Sequence, residues 1–287
     1  MDVVNIFNGL GNQMSQYAFY LQKKHINRNT KYLMTDADHQ GFELEKLFGI
    51  KLKRSFILFK IYSILVTPKH KIFYIIFNKI IFGGLHLIRE KKTYDFDVSN
   101  LKNKHGINFY VGGWHSEKNF KDVIDEIRQI YTFPQVKDDV FLRIKHQIEN
   151  SVSVSLHVRH GDYLNSTTEW DFSHVCTDLY YQRAIEYIYS NVKNPVFFVF
   201  SDDLEYVRKK FSEDCFVIVD INRGKDSWRD MYLMSLCKHN IMANSSFSWW
   251  GAWLNKNPDK IVLHPKRFLR NYPTQDFYCE NWITIES

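Results

Sequence analysis

Residues 152–163 read Val-Ser-Val-Ser-Leu-His-Val-Arg-His-Gly-Asp-Tyr, an apolar–polar alternation that ends in a cluster able to do chemistry. Val152, Val154, Leu156 and Val158 fall on one face of a predicted strand, and Ser153, Ser155, His157 and Arg159 on the other. Strand rise sets His157 and Arg159 roughly 6–7 Å apart on that face. Gly161 permits a turn, and Asp162 follows it. A guanidinium that keeps its proton, beside an imidazole and a carboxylate at a strand's C-terminal end, suits an anionic ligand. The same pattern also fits a solvated surface strand.

Two further clusters have the right residue types to complete such a site. In Asn244-Ser245-Ser246-Phe247-Ser248-Trp249-Trp250-Gly251-Ala252-Trp253-Leu254, Ser245 or Ser246 starts a helix. Free N–H groups at a helix N-terminus, with two hydroxyls, make a seat for phosphate, and Gly251 and Ala252 let the helix approach the sheet. An ordinary cap on an aromatic core helix reads the same way. Asp202-Asp203 follows a predicted strand as an N-cap; in a nucleotide site one of the two carboxylates would accept from guanine N1–H and the exocyclic amine.

Other motifs are weaker. Gly9-Leu10-Gly11-Asn12-Gln13 has Met14 where a dinucleotide fingerprint needs its third glycine, and no GxxxxGK[ST] occurs, which argues against a P-loop enzyme. The loop can still bring its backbone and Asn12 close to a ligand. Asp36-Ala37-Asp38 and Asp95-Phe96-Asp97 are DxD triplets, of the kind that hold Mg²⁺ or Mn²⁺ on a nucleotide diphosphate in metal-dependent sugar transferases. Arg159 and a helix N-terminus can neutralise a diphosphate without metal.

The elements that position these residues alternate. Strands are predicted at 3–7, 31–35, 109–114, 152–159, 196–200, 216–219 and 240–243. Helices are predicted after the Gly9 loop and at 42–48, 180–189, 226–237 and from Ser245 onward. This order argues for a parallel, doubly wound sheet with ligands beyond the strands' C-terminal ends. Pro134 and the polar helix after it make a plausible domain junction.

At 287 residues, 45% apolar and 24% charged, the chain has the composition of a globular protein of one large or two ordinary domains. Cys176, Cys215, Cys237 and Cys279 are widely spaced, without zinc-site spacing, and read as reduced thiols in a cytosolic protein. The first 30 residues hold no basic stretch followed by an apolar core, so no secretory signal is expected. Charge is uneven. Residues 51–92 carry ten Lys or Arg and one acid, Glu90, so the remainder sums to −3 against a net charge of +6. That segment is rich in Phe, Ile, Leu and Tyr, yet no apolar run reaches the ~20 residues of a bilayer span. It suits either an anionic membrane surface or helices packed on a domain core. Its apolar content argues against nucleic-acid binding.

Taken together, these stretches resemble the bacterial α-1,2-fucosyltransferase family, glycosyltransferase family 11. Gly9–Ala18 resembles the family's Gly-Leu-Gly-Asn-Gln run, and His157-Val158-Arg159-His160-Gly161-Asp162-Tyr163 its His-x-Arg-Arg-Gly-Asp motif. Phe42–Phe48, Gly113–Phe120, Phe200–Asp203 and Asn244–Leu254 fall in family order between and after them. The resemblance implies an α/β fold of GT-B type, two Rossmann-like domains facing a cleft: 1–148 on the acceptor side, including the basic aromatic segment 51–92, and 149–287 binding GDP-fucose. It implies inversion at the anomeric carbon and no metal or other cofactor. The expected activity is galactoside α-1,2-L-fucosyl transfer in surface polysaccharide (O-antigen) synthesis, with another linkage or a metal-dependent DxD transferase as alternatives. By similarity Arg159 meets the β-phosphate and glycosidic oxygen. For a general base Asp162, near Arg159 in sequence, is the first candidate and His160 the second. His157, Asp202, Asp203, Asn244, Ser245, Ser246 and Phe247 would bind the donor, and Asn12, Gln13 and His160 would stand on the acceptor side. The expected partners are GDP-fucose and a galactose-terminated, lipid-linked acceptor. The expected location is the cytoplasm, peripheral to the membrane. Two positions depart from the family: His160 replaces an arginine, and Ser15 a phenylalanine.

Overall fold

Parallel strands need a crossover connection, usually a helix, and among the described residues the computed structural model contains two parallel sheets. It describes residues 1–37, 40–67, 84–161 and 170–286. The chain divides into Met1–Phe133 and Pro134–Ser287. Each unit is α/β with a wholly parallel sheet, as the GT-B class requires.

The first unit contains β1 (Asp2–Ile6), α1 (Leu10–Ile26), β2 (Lys31–Met34), α2 (Leu44–Phe48), α3 (Phe56–Val66), β3 (Leu85–Arg89), β4 (Ile107–Val111) and α4 (Ile124–Ile130). Its sheet runs β2-β1-β4-β3. Every residue of the inner strand β1 is buried, as both-face coverage of a parallel sheet demands. Strand β4 stops at Val111 rather than at Trp114. The Glu90 carboxylate takes the N–H groups of Gly113 and Trp114 at 2.8 Å each, pulling the chain off the ladder. Glycine is required at 112, because a Cβ there would lie 2.4 Å from Glu90 Cβ.

The second unit contains α5 (Asp139–Glu149), β5 (Val152–Val158), α6 (Asp178–Asn191), β6 (Pro195–Ser201), α7 (Leu204–Lys210), β7 (Phe216–Val219), α8 (Trp228–Leu236), β8 (His239–Ile241), α9 (Ser246–Leu254), β9 (Val262–Pro265) and β10 (Ile283–Ile285). The sheet order is β10-β9-β8-β5-β6-β7. The boundary therefore falls at Pro134, earlier than 149. Helix α5 buries Phe141 and Ile148 against Phe198, Phe200 and Val219, so it belongs to the second core.

The alternation along β5 holds. Val154, Leu156 and Val158 pack against Tyr180, Tyr181, Ala184 and Ile188 of α6. Ser155, on the other face, accepts from Asn240 Nδ2 at 2.7 Å. Gly251 gives close approach to α8 rather than to the sheet, since a Cβ there would meet Met234 Cβ at 2.9 Å. None of the four cysteines forms a disulfide.

Candidate active site

In the second unit the chain runs from β5 to β6 and β7 on one side, then returns to β8, β9 and β10 on the other. The order switches between β5 and β8, and such a switch opens a crevice at the strands' C-terminal ends. Two predicted clusters flank it: His157, Arg159 and His160 at the end of β5, and Asn244–Phe247 between β8 and α9.

His157 is buried and its Nδ1 has no hydrogen-bond partner. Burial, then the Arg159 charge, pushes its pKa down to about 3, so the ring is neutral at physiological pH. The Phe247 ring lies 6.0 Å from it. A buried polar atom left open costs free energy unless a ligand satisfies it. Arg159 follows the strand, with Nε 3.7 Å from Asp202 Oδ2.

His160 lies in this same unit. Its Nδ1 is 2.8 Å from Asp203 Oδ2, and its ring stacks on Tyr206 at 4.0 Å and 7°. Its backbone N–H donates to Asp202 Oδ1 at 3.1 Å. Asp203 also caps α7, accepting from the Tyr206 N–H at 3.0 Å. That hydrogen bond first, and His160 second, hold Asp203 below the usual carboxylate range. Tyr206 is held in turn by Asp178, which also pairs with Lys210. Gly161 passes close to Asp202, and Asp162 lies outside the described residues.

Ser245 caps α9, its hydroxyl accepting from the Phe247 N–H at 3.3 Å. Ser246 opens the helix and is partly exposed, and the positive end of the helix dipole lies at this N-terminus. Asn244 is used by the fold. Its Nδ2 donates to the Phe172 and Phe268 carbonyls at 3.0 and 2.9 Å, and its Oδ1 accepts from Cys176. It positions the loop and has no side-chain donor left for a ligand.

The sequence did not single out Asn222 and Asp230, which follow the C-terminal end of β7. Asn222 Nδ2 donates to Asp230 Oδ1 at 2.7 Å, while Asn222 Oδ1 is buried and unpartnered. Burial pushes Asp230 up to about 7. An open amide oxygen beside a buried carboxyl can accept from the N–H edge of a base. An acid in the first turn of a helix is so ordinary that no sequence signal marks it.

In the first unit Gln13 is fully engaged. Its Nε2 donates to Asn8 O and Gly41 O at 2.7 and 2.8 Å, and its Oε1 accepts from the Glu43 N–H at 3.0 Å. Asn12, by contrast, is partly exposed. Ser15 is buried and hydrogen-bonds His115 Nδ1 at 2.8 Å, so the departure from the family's phenylalanine serves packing around His115. Of the DxD triplets, Asp97 caps a short 3-10 turn through the Ser99 N–H and Asp95 pairs with Lys91; Asp38 lies outside the described residues.

Two α/β units in one chain, each built on a parallel sheet, give the architecture of the GT-B class of glycosyltransferases. The chain belongs to glycosyl transferase family 11, whose family model matches residues 1–286. It is 33% identical to an Escherichia coli alpha-1,2-colitosyltransferase, covering 99% of this chain and 98% of that one. It is 32% identical to the E. coli O-antigen biosynthesis glycosyltransferase WbnK, covering 96% and 98%. The fold resembles that of Arabidopsis thaliana FUT1, a mutant solved with GDP, at TM-score 0.50 and 13% identity over 93% of this chain and 70% of that one.

Proposed function

We propose that the chain transfers L-fucose from GDP-fucose to the 2-hydroxyl of a galactose-terminated, lipid-linked glycan. Transfer proceeds with inversion and without a metal, in cytoplasmic O-antigen assembly, with peripheral membrane contact through residues 51–92. The observation that carries this reading is the unpartnered Nδ1 of buried His157 beside Arg159 at the β5/β8 switch point.

In the reaction the acceptor oxygen forms a bond to C1 of the sugar while the C1–O bond to the β-phosphate breaks. Negative charge grows on the leaving GDP. Arg159, steadied by Asp202, and the N-terminal end of α9 with Ser245 and Ser246 meet that charge where it develops. His157 donates to or accepts from the donor according to its tautomer, and Phe247 offers it an apolar wall. Asp202 and Asp203 are both engaged within the chain, which supports Asn222 and Asp230 as the pair that reads guanine.

The acceptor proton needs a destination. His160 suits this role: the Asp203 carboxylate fixes the Nδ1–H tautomer and leaves Nε2 as the acceptor. Asp162 is the competing base. Asn12 is the acceptor-side candidate of the first unit.

The test is GDP release from GDP-fucose with EDTA present, across β-galactoside acceptors, for wild type and His160→Asn. Acceptor-dependent release that survives EDTA is expected, with the rate falling about a hundredfold or more in His160→Asn while GDP-fucose binding is kept. Release abolished by EDTA would move the chemistry to Asp36 and Asp38; an unchanged rate in His160→Asn would transfer the base role to Asp162. A second donor, GDP-colitose, belongs in the assay because a colitosyltransferase is among the full-length relatives.

A further inference from the structure

Helix α3 is apolar on two sides. Leu58, Ile61, Tyr62 and Leu65 pack on Val3, Leu33 and Phe109 of the first sheet. The opposite side carries Phe56, Ile57 and Phe59 into solvent, 69%, 72% and 47% exposed. Single exposed apolar residues need no explanation, but three large ones within four positions form a patch. The charged residues of this stretch of the chain are of one sign. Lys51, Lys53 and Arg54 are exposed just before the helix, and Lys60 sits on its outward side with Nζ 4.4 Å from the Phe56 ring centroid. No acidic residue stands anywhere between Glu45 and Glu90.

An outward helix face in water ordinarily mixes acids with bases. This one combines aromatic and aliphatic side chains with cations alone. We propose that the outward face of α3 docks the protein on an anionic phospholipid bilayer. Phe56, Ile57 and Phe59 enter the headgroup boundary. Lys53, Arg54 and Lys60 meet the lipid phosphates, the long stem of Lys60 reaching past the Phe56 ring. The helix has eleven residues, about 16 Å, which lies on a bilayer and does not cross it. A second copy of the chain fits poorly. A two-fold contact would set like charges against each other, and so short a helix offers far less than the roughly 800 Å² per partner of a stable dimer.

This inference sharpens the peripheral contact in the functional reading and rests on that part of it alone, not on the donor or the linkage. The experiment is co-sedimentation of the full chain with phosphatidylcholine vesicles, with and without phosphatidylglycerol. It compares wild type, Phe56→Ser/Ile57→Ser/Phe59→Ser and Lys53→Glu/Arg54→Glu/Lys60→Glu. Wild type pellets with the anionic vesicles and not with the neutral ones. The apolar variant loses about tenfold or more in partitioning. The charge variant loses about fivefold for each cation removed, and salt weakens wild-type binding in the same way. Both variants melt with wild type and release GDP with a soluble acceptor at the wild-type rate. Wild type that ignores anionic vesicles, or variants that bind as well as wild type, would overturn the proposal. Self-association lost in the variants, without lipid binding, would assign the face to a second copy and overturn it too. Vesicle binding by a protein that transfers to no acceptor would leave the docking intact and sink the reaction.

Discussion

The two sheets each have a switch point, and two sets of polar side chains near them differ in how far the chain satisfies them. In the first unit it lies between β1 and β4. There Gln16 accepts from the Phe7 N–H and donates to Gly112 O, Ser15 holds His115, and Gln13 pins two carbonyls and an N–H. These groups are satisfied within the chain, although Asn108 Oδ1, Trp114 Nε1 and Ser116 Oγ nearby are buried without a partner as well. In the second unit, between β5 and β8, His157 Nδ1 and, beyond β7, Asn222 Oδ1 are buried with nothing to bond. Buried polar groups are normally paired. We read the first set as a fastening, and propose that a ligand completes the second.

Four variants can break or sharpen this contrast. Arg159→Ala should lower the kcat/KM for GDP-sugar turnover by about a hundredfold to a thousandfold with little change in melting. Steady-state rates at near-wild-type level would remove Arg159 from the chemistry. Gln13→Ala should cost about 2–4 kcal/mol of stability in urea, because an N–H and two carbonyls lose their partner. Its GDP affinity should be that of wild type; a donor-binding defect without destabilisation would erase the distinction between the two switch points. His157→Phe should weaken GDP binding about tenfold by calorimetry while leaving stability equal or higher, since the imidazole bonds nothing in the unliganded fold. Unchanged affinity would show that the open Nδ1 does not serve the donor.

The smallest effect concerns pH. Burial raises Glu90 from 4.5 to about 7. Between those values the unfolded chain has released the proton and the folded chain keeps it, so stability falls as pH rises through that window. Glu90→Gln retains an acceptor for Gly113 and Trp114 and removes this slope. Its stability relative to wild type should grow between pH 4.5 and 7 and then level off. A difference independent of pH would mean that Glu90 is ionised in the folded protein. His115 acts in the other direction: burial lowers it from 6.5 to about 3, so its neutral form supports the fold at high pH and that contribution is lost as pH falls from 6.5.

Much of this was legible along the chain. The alternation from Val152 to Val158 placed His157 and the valines on opposite faces of β5, and the strand–helix order announced parallel sheets. Short terminal strands such as β9 and β10 were not legible, because three or four residues carry too little periodicity. The end of β4 was not either, since a glutamate from β3's side of the sheet decides it.

The sequence by itself determined the family, the parallel architecture and the residues at the end of β5, because a period of two and a His-x-Arg spacing are local properties of the chain. Only the tertiary structure decided which polar residues are fastenings and which remain open. Gln13, Asn244 and Asp203 look as available in the sequence as His157 and Asn222. Whether a donor is free depends on partners that lie 24 to 72 residues away for Gln13 and Asn244, and on the loss of water that makes an unpaired group costly.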